Sequence, residues 1–211
     1  SVRETPKESG ASHFIEHMLF KGTKTRSASQ IAGLMDGIGA TINAFTSKEC
    51  TCFYVKVLDE HLEMGVELLA DILMNSVFDA KEIKKEQGVV VEEILMMEDS
   101  PEDLAHETLS DIYFKGDPLA QPILGTQKSV MAFTRKSLLS YMRRHYGADN
   151  VVIACAGNAD EARVVSLIEE HFGAHAPGEP LAPIENRVLG GQRFAAVEKD
   201  AEQVHICIGL P

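Results

Sequence analysis

The sequence predicts an α+β protein in which helices pack on a largely antiparallel sheet. Three observations lead there. Stretches 40–46 and 51–57 carry strand-like residues, with Thr46-Ser47-Lys48-Glu49 as the turn between them. Longer stretches repeat apolar residues every three or four positions, which is the helical period. Helices and strands also mix without the strict alternation that a parallel βαβ sheet demands.

Residues 1–10 are polar and read as the end of a strand or loop. A helix is expected from about Ser12, stopping at Gly22, a residue type suited to the position after a helix. Ser29 is read as the cap of a short helix from Gln30 to Asp36, ended by Gly37 and Gly39. Ala40 to Thr46 and Thr51 to Val57 follow as strands. Phe53, Val55 and Val57 alternate with Cys52, Tyr54 and Lys56, as in a half-buried strand.

Asp59 opens a helix whose expected buried stripe is Leu62, Val66, Leu69 and Leu73. Asp79 and Glu82 have the spacing of a helix cap and start a long helix reaching about Glu98. Ser100-Pro101-Glu102-Asp103 starts another: a cap, a proline in the first turn, then acids at the positive end of the dipole. It ends at Gly116-Asp117-Pro118. Thr134 begins a helix to about Tyr146, and Asp160 begins one to Phe172. The apolar run Val151 to Ala156 is read as a buried strand. Pro177 to Pro180 and Pro183 form a loop, and Phe194 to Val197 and Val204 to Ile208 read as strands.

A chain of 211 residues is long enough for one domain with a substantial core. Its composition, 45% hydrophobic and 25% charged, is that of a globular protein. A net charge of −12 argues against nucleic acid, which needs clustered Lys and Arg; it suits basic peptides, and serves solubility equally well. No apolar run approaches the ~20 residues of a membrane-spanning helix. Cys50, Cys52, Cys155 and Cys207 make no Cys-x-x-Cys pair and read as small core residues in a reducing compartment.

The chemistry centres on His13-Phe14-Ile15-Glu16-His17, a His-x-x-Glu-His pattern. On a helix the two histidines lie one turn and about 40° apart, so both imidazoles reach one point. Two neutral imidazoles suit zinc, and an adjacent carboxylate that is not a ligand suits a general base. The plainer alternative is a surface helix that happens to carry two His and a Glu. An open two-His site needs a third ligand. Glu86, Glu92 and Glu93 lie in a later helix around Val89-Val90-Val91, and Glu86 and Glu93 share a face, offset by only about 20°. From the residues alone, Glu92 and Glu93 are more simply read as the solvated face of an amphipathic helix.

Several separated stretches resemble one family. Ser1 to Glu4 followed by Gly10 to Thr23, then Asn43 to Ser47, Glu86 to Glu93 with Met96-Met97-Glu98-Asp99, and Pro122 to Thr126 are together similar to the pitrilysin-type zinc metallopeptidases. The likeness is greatest to the mitochondrial processing peptidase-like branch and its bacterial relatives, and it covers essentially the whole chain. It implies the metallohydrolase fold of that branch and a zinc-dependent endopeptidase acting on short or unfolded polypeptides. One zinc per chain would be held by His13, His17 and Glu93, and would carry a water whose proton Glu16 takes as general base. Glu86 would orient a ligand imidazole from behind. Asn43, Ala44 and Phe45 would form the edge strand to which an extended substrate adds through its backbone.

The resemblance also implies organisation. Residues 1–200 would be the N-terminal catalytic domain lacking its first strand. Residues 201–211 would open a second homologous domain, in the same chain or from a partner subunit, and a homodimer is an open alternative. The strand at 204–208 is expected to fill the edge left by the first strand. Without the second domain's Arg/Tyr pair, the chain alone should bind zinc and cleave poorly. Bacterial cytoplasm is the expected compartment, with the mitochondrial matrix as alternative.

Two other functions compete: a non-catalytic peptide-binding or chaperone-like subunit of the same family, and a zinc-stabilised structural domain. The intact set His13, Glu16, His17 and Glu93 favours the enzyme, because a structural site has no use for a base. His61, His106, His145, His171, His175 and His205 match no second ligand spacing and read as surface or satisfied core residues. Met96, Met97 and Met131 read as core packing.

Overall fold

The fold is seen in a computed structural model that describes residues 1–179, 181 and 193–210. Its centre is helix α1 (Ala11–Leu19), which is nearly surrounded. Phe14, Ile15, Met18 and Leu19 are all buried to within 1%. Helix α2 (Ala28–Asp36) and the strands β1 (Thr41–Thr46) and β2 (Thr51–Lys56) cover one side of it. The strands form an antiparallel hairpin in which Thr41 faces Lys56 and Thr46 faces Thr51. Helix α3 (Leu62–Asn75) packs on β2, after a 3₁₀ turn at Asp59–His61.

The other side is formed by α4 (Ala80–Asp99), which packs on α1 and is flanked by α5 (Pro101–Tyr113) and α6 (Gln127–Ala132). Helix α7 (Arg135–His145) touches α1, and α8 (Glu161–Phe172) lies on α3. Val90 and Ile94 of α4 meet the α1 core, with Phe78, Val130 and Leu138 closing it. Phe14 and Phe133 stack edge to face, with centroids 5.3 Å apart. Buried Gln87 bridges α4 to the end of α6, its Nε2 lying 3.1–3.2 Å from the carbonyls of Val130, Met131 and Phe133.

Helix boundaries follow their caps. Asp79 accepts from the Lys81 and Glu82 amides, Ser100 from Asp103, Thr134 from Ser137 and Asp160 from Arg163. Ser27, not Ser29, caps α2: it forms a reciprocal box with Gln30, which Ser29 is too close to make. The buried face of α3 is also turned from the expected stripe. Leu68 and Ile72 are fully buried, whereas Leu62, Val66, Leu69 and Leu73 are only half-buried. Helix α3 lies between β2 and α8, and those two contacts set its rotation.

The α+β class holds, but among the described residues the sheet has two strands. Segments 151–156, 194–197 and 204–208 form no ladder. Val152, Val204, Ile206 and Ile208 are exposed by 78% or more. Strand-forming residues favour an extended backbone, but a strand exists only where a partner completes its hydrogen bonds. The 204–208 segment therefore does not fill a sheet edge. The tail instead runs onto α5, where Tyr113 Oη donates to the Leu210 carbonyl at 3.1 Å. Pro180 and Pro183 of the expected loop lie outside the described residues.

Other expectations change as well. Cys50 and Cys155 are exposed, not core. Met96 and Met131 are 72% and 48% exposed, since each sits on the outer face of its helix. His145 departs from a satisfied core histidine: both ring nitrogens are buried without a hydrogen-bond partner among the described residues.

Candidate metal centre

Helix α1 is anchored at its start by a buried carboxylate. Glu4 accepts the Gly10 and Ser12 amides, each at 2.8 Å, where unpaired N–H groups and the positive end of the dipole favour an anion. Gly10 is left-handed (φ 89°), and a Cβ there would stand 2.5 Å from the Leu124 carbonyl oxygen. Gly125 (φ 78°) returns the contact, since its Cβ would stand 2.3 Å from the Ser9 oxygen. Two bare backbones thus pack together, and they hold the 122–124 loop against the head of α1. With one face of α1 in the core, His13, Glu16 and His17 share the other and are half-buried.

Helix α4 crosses beneath this face and brings two acids to it. His13 Nε2 and His17 Nε2 lie 3.2 Å apart, and Glu93 Oε2 lies 3.7 Å from each. Glu86 lies behind: its Oε1 is 2.8 Å from His17 Nδ1. A neutral His17 that donates from Nδ1 to this carboxylate leaves a bare lone pair on Nε2. Two imidazole nitrogens and a carboxylate oxygen thus face one point. A tetrahedral centre with bonds of about 2.0–2.1 Å spaces its ligand atoms about 3.3–3.4 Å apart, close to the separations found. The donor set fits zinc.

The electrostatics set the two histidines apart. Burial, and secondarily His17, pushes the His13 ring down to about 4, against the pull of Glu86. His13 is therefore neutral at pH 7, as a ligand must be. Burial would also lower His17, but the hydrogen bond to Glu86 and the charges of Glu93, Glu86 and Glu16 outweigh it and raise the ring above its ordinary value. Burial would raise Glu86, but the hydrogen bonds from His17 and Lys21 hold it below the usual carboxylate range.

Glu16 sits outside the trio. Its Oε2 accepts from Thr46 Oγ1 of β1 at 2.5 Å. Beside it opens a cleft of about 410 Å³, lined by His13, Glu16, the β1 residues Ala44, Phe45 and Thr46, and the 122–124 loop, with Met97 and Glu107. Phe45 is half-exposed at 50%. Asn43 does not line this cleft; its Oδ1 accepts the amide of the next residue, Ala44, at 2.8 Å.

His13, His17, Glu93, Glu86 and Glu16 therefore converge, with Ala44 and Phe45 at the cleft wall and Asn43 one residue further along the strand. Sequence reasoning missed Thr46, Lys21 and Glu107. Thr46 shares a strand face with Ala44, and Lys21 continues the four-residue spacing of His13 and His17, so both had a signal. Glu107 had none, because only the packing of α5 on α4 brings it in.

Comparison with known proteins matches residues 1–127 to the family model described as Insulinase (Peptidase family M16) and residues 132–211 to that described as Peptidase M16 inactive domain. All five converging residues lie in the first region. An uncharacterized zinc protease of Bacillus subtilis is 44% identical over 210 residues, which is 100% of this chain and 51% of that protein. One from Rickettsia felis is 41% identical over 207 residues, 98% of this chain and 50% of that protein. The chain thus spans about half the length of the curated relatives it matches. Among solved structures, a protease from Helicobacter pylori superposes with a TM-score of 0.81 at 22% identity, covering 92% of this chain and 47% of that one. The periplasmic protease PqqL of Escherichia coli superposes at 0.77 and 22% identity, covering 92% and 22%. These two likenesses are of fold.

Proposed function

The chain belongs to the M16 (insulinase) peptidase family, and on that premise we propose that it carries the metal site of a zinc-dependent endopeptidase. Its substrates would be short or unfolded polypeptides, cut in the manner of a processing peptidase. The observation that carries this reading is the meeting of His13 Nε2, His17 Nε2 and Glu93 Oε2, with the Glu16 carboxylate beside them but outside the set.

His13, His17 and Glu93 would hold one zinc per chain. Bound zinc supplies Lewis acidity, making water a nucleophile near neutral pH and polarising a carbonyl. Glu86 fixes the His17 tautomer that offers Nε2. Glu16 takes the proton of the attacking water and returns it to the leaving amine, a general acid–base role. Thr46 holds one Glu16 oxygen and leaves the other for that proton. An extended substrate adds its backbone along β1, displacing Asn43 Oδ1 from the Ala44 amide. Phe45 and the 122–124 loop give the cleft an apolar wall, and Glu107 gives it an acid. Residues from about 201 onward would open a second, homologous domain that completes the enzyme.

The test is metal content and peptide cleavage of the full-length protein, beside Glu93→Ala and Glu16→Gln. About one zinc per chain is expected, weakened or lost in Glu93→Ala and kept in Glu16→Gln, which should lose cleavage. A wild-type protein prepared without chelator that binds no zinc would overturn the reading.

A further inference from the structure

We propose that Lys21 is a positioning residue of this metal centre, acting through Glu86 on His17; the inference rests on the zinc-site reading above. Lys21 lies just beyond α1. The last turn tightens there, with the Phe20 amide donating to the His17 carbonyl and the Lys21 amide to that of Met18. Gly22 then turns the chain away at φ 119°. This exit carries Lys21 back under the helix, four residues on from His17, towards α4. Its Nζ stands 2.7 Å from Glu86 Oε2, while Glu86 Oε1 stands 2.8 Å from His17 Nδ1.

The Glu86 side chain is only 4% exposed, and each of its oxygens has one strong donor. A carboxylate that deep in the protein is costly unless a cation pairs with it, and Lys21 is the cation in contact. The pairing also removes a freedom. A carboxylate held at one oxygen can swing about its last bond, whereas one held at both cannot. With Oε2 pinned by Lys21, Oε1 has a single direction in which to receive the His17 N–H, and that direction aims Nε2 at the point shared with His13 and Glu93. The network thus runs from lysine to glutamate to imidazole to metal. A partner in this position is expected to change metal affinity about 10–100-fold.

A surface ion pair that only adds stability would behave differently, and a mutant cycle separates the two. Zinc affinity of the full-length protein is measured by competition with a chromophoric chelator, using Lys21→Met, Lys21→Arg, Glu86→Gln and the double variant Lys21→Met/Glu86→Gln. The expected result is about a tenfold or greater loss for Lys21→Met, and near-wild-type affinity for Lys21→Arg. In the Glu86→Gln background Lys21→Met should change affinity by less than about twofold, because its target is gone. Lys21→Gln serves the same comparison should Lys21→Met fail to fold. Imidazole ¹⁵N shifts of the metal-free protein, recorded at a pH above the His17 midpoint so that the ring is neutral, add a readout independent of activity: His17 is expected as the Nδ1–H tautomer in the wild type and as a mixture without Lys21. Unchanged zinc affinity in Lys21→Met, or an equal loss with and without Glu86, would overturn the role of Lys21 and leave the zinc site standing. A wild-type protein that takes up no zinc would overturn both.

Discussion

Thr46 Oγ1 donates a 2.5 Å hydrogen bond to Glu16 Oε2, tying strand β1 to the carboxylate of the residue that precedes His17 on α1. The strand expected to carry the substrate and the group expected to move the proton are thereby one unit. A hydrogen bond to a charged group is worth about 1.5–3 kcal/mol, and 1.4 kcal/mol is about tenfold in rate. Thr46→Val is therefore expected to slow peptide cleavage about 10–100-fold with zinc content unchanged, and Thr46→Ser to restore it. Full activity in the valine variant would show that Glu16 needs no such anchor.

The two ligand histidines should titrate apart in the metal-free protein. His13 is expected to remain neutral until about pH 4, and His17 to protonate above the ordinary histidine value of 6.5. Ring C–H shifts followed by NMR from pH 3 to 9 check this. Coincident midpoints near 6.5 would contradict the burial of His13 and the contact of His17 with Glu86.

Asp71 anchors the turn after α1. It accepts from Thr23 Oγ1 at 2.8 Å, Arg26 Nη1 at 2.9 Å, Asn75 Nδ2 at 3.0 Å and Thr25 Oγ1 at 3.1 Å. Burial alone would raise its pKa, but these donors outweigh burial and hold it below 3.8. A depressed folded value means that the stabilisation is complete above 3.8 and is lost as pH falls through the folded value. Asp71→Ala is expected to cost about 3 kcal/mol at neutral pH in chemical denaturation. The penalty should shrink as pH falls below 3.8 and through the folded value, where the wild type loses its carboxylate too. A penalty independent of pH would contradict the charged network.

Gly125 and Gly10 cannot be exchanged for alanine cheaply. Each needs a left-handed backbone, and each would place a Cβ within 2.5 Å of a backbone carbonyl oxygen. Gly125→Ala is expected to destabilise by about 2 kcal/mol or more and to loosen the 122–124 cleft wall. Thermal unfolding reads the first effect, and hydrogen exchange of the 122–126 amides the second. A melting temperature unchanged from wild type would show that the loop can move away.

Local chemistry settled much of this protein. The spacing of His13, Glu16 and His17 puts all three on one helical face whatever packs around them. Asp79, Ser100, Thr134 and Asp160 start their helices because each satisfies amides within its own first turn. The hairpin of β1 and β2 is likewise local, since its strands are joined by four residues. These features were legible because each rests on groups a few positions apart in the chain.

Tertiary structure decided the rest. Periodicity put Glu93 on the face of Glu86 without saying what that face meets; a family likeness singled out Glu93 as a ligand, and the rotation of α4 against α1 is what aims it at the histidines. The same crossing joins Lys21 to Glu86, and the packing of β1 on α1 joins Thr46 to Glu16. Segments 151–156 and 204–208 show the converse: their residues favour strands, but a ladder requires hydrogen bonds from a second segment. Contacts between distant segments depend on how whole elements dock, and docking sums many small contacts that no single stretch of sequence encodes.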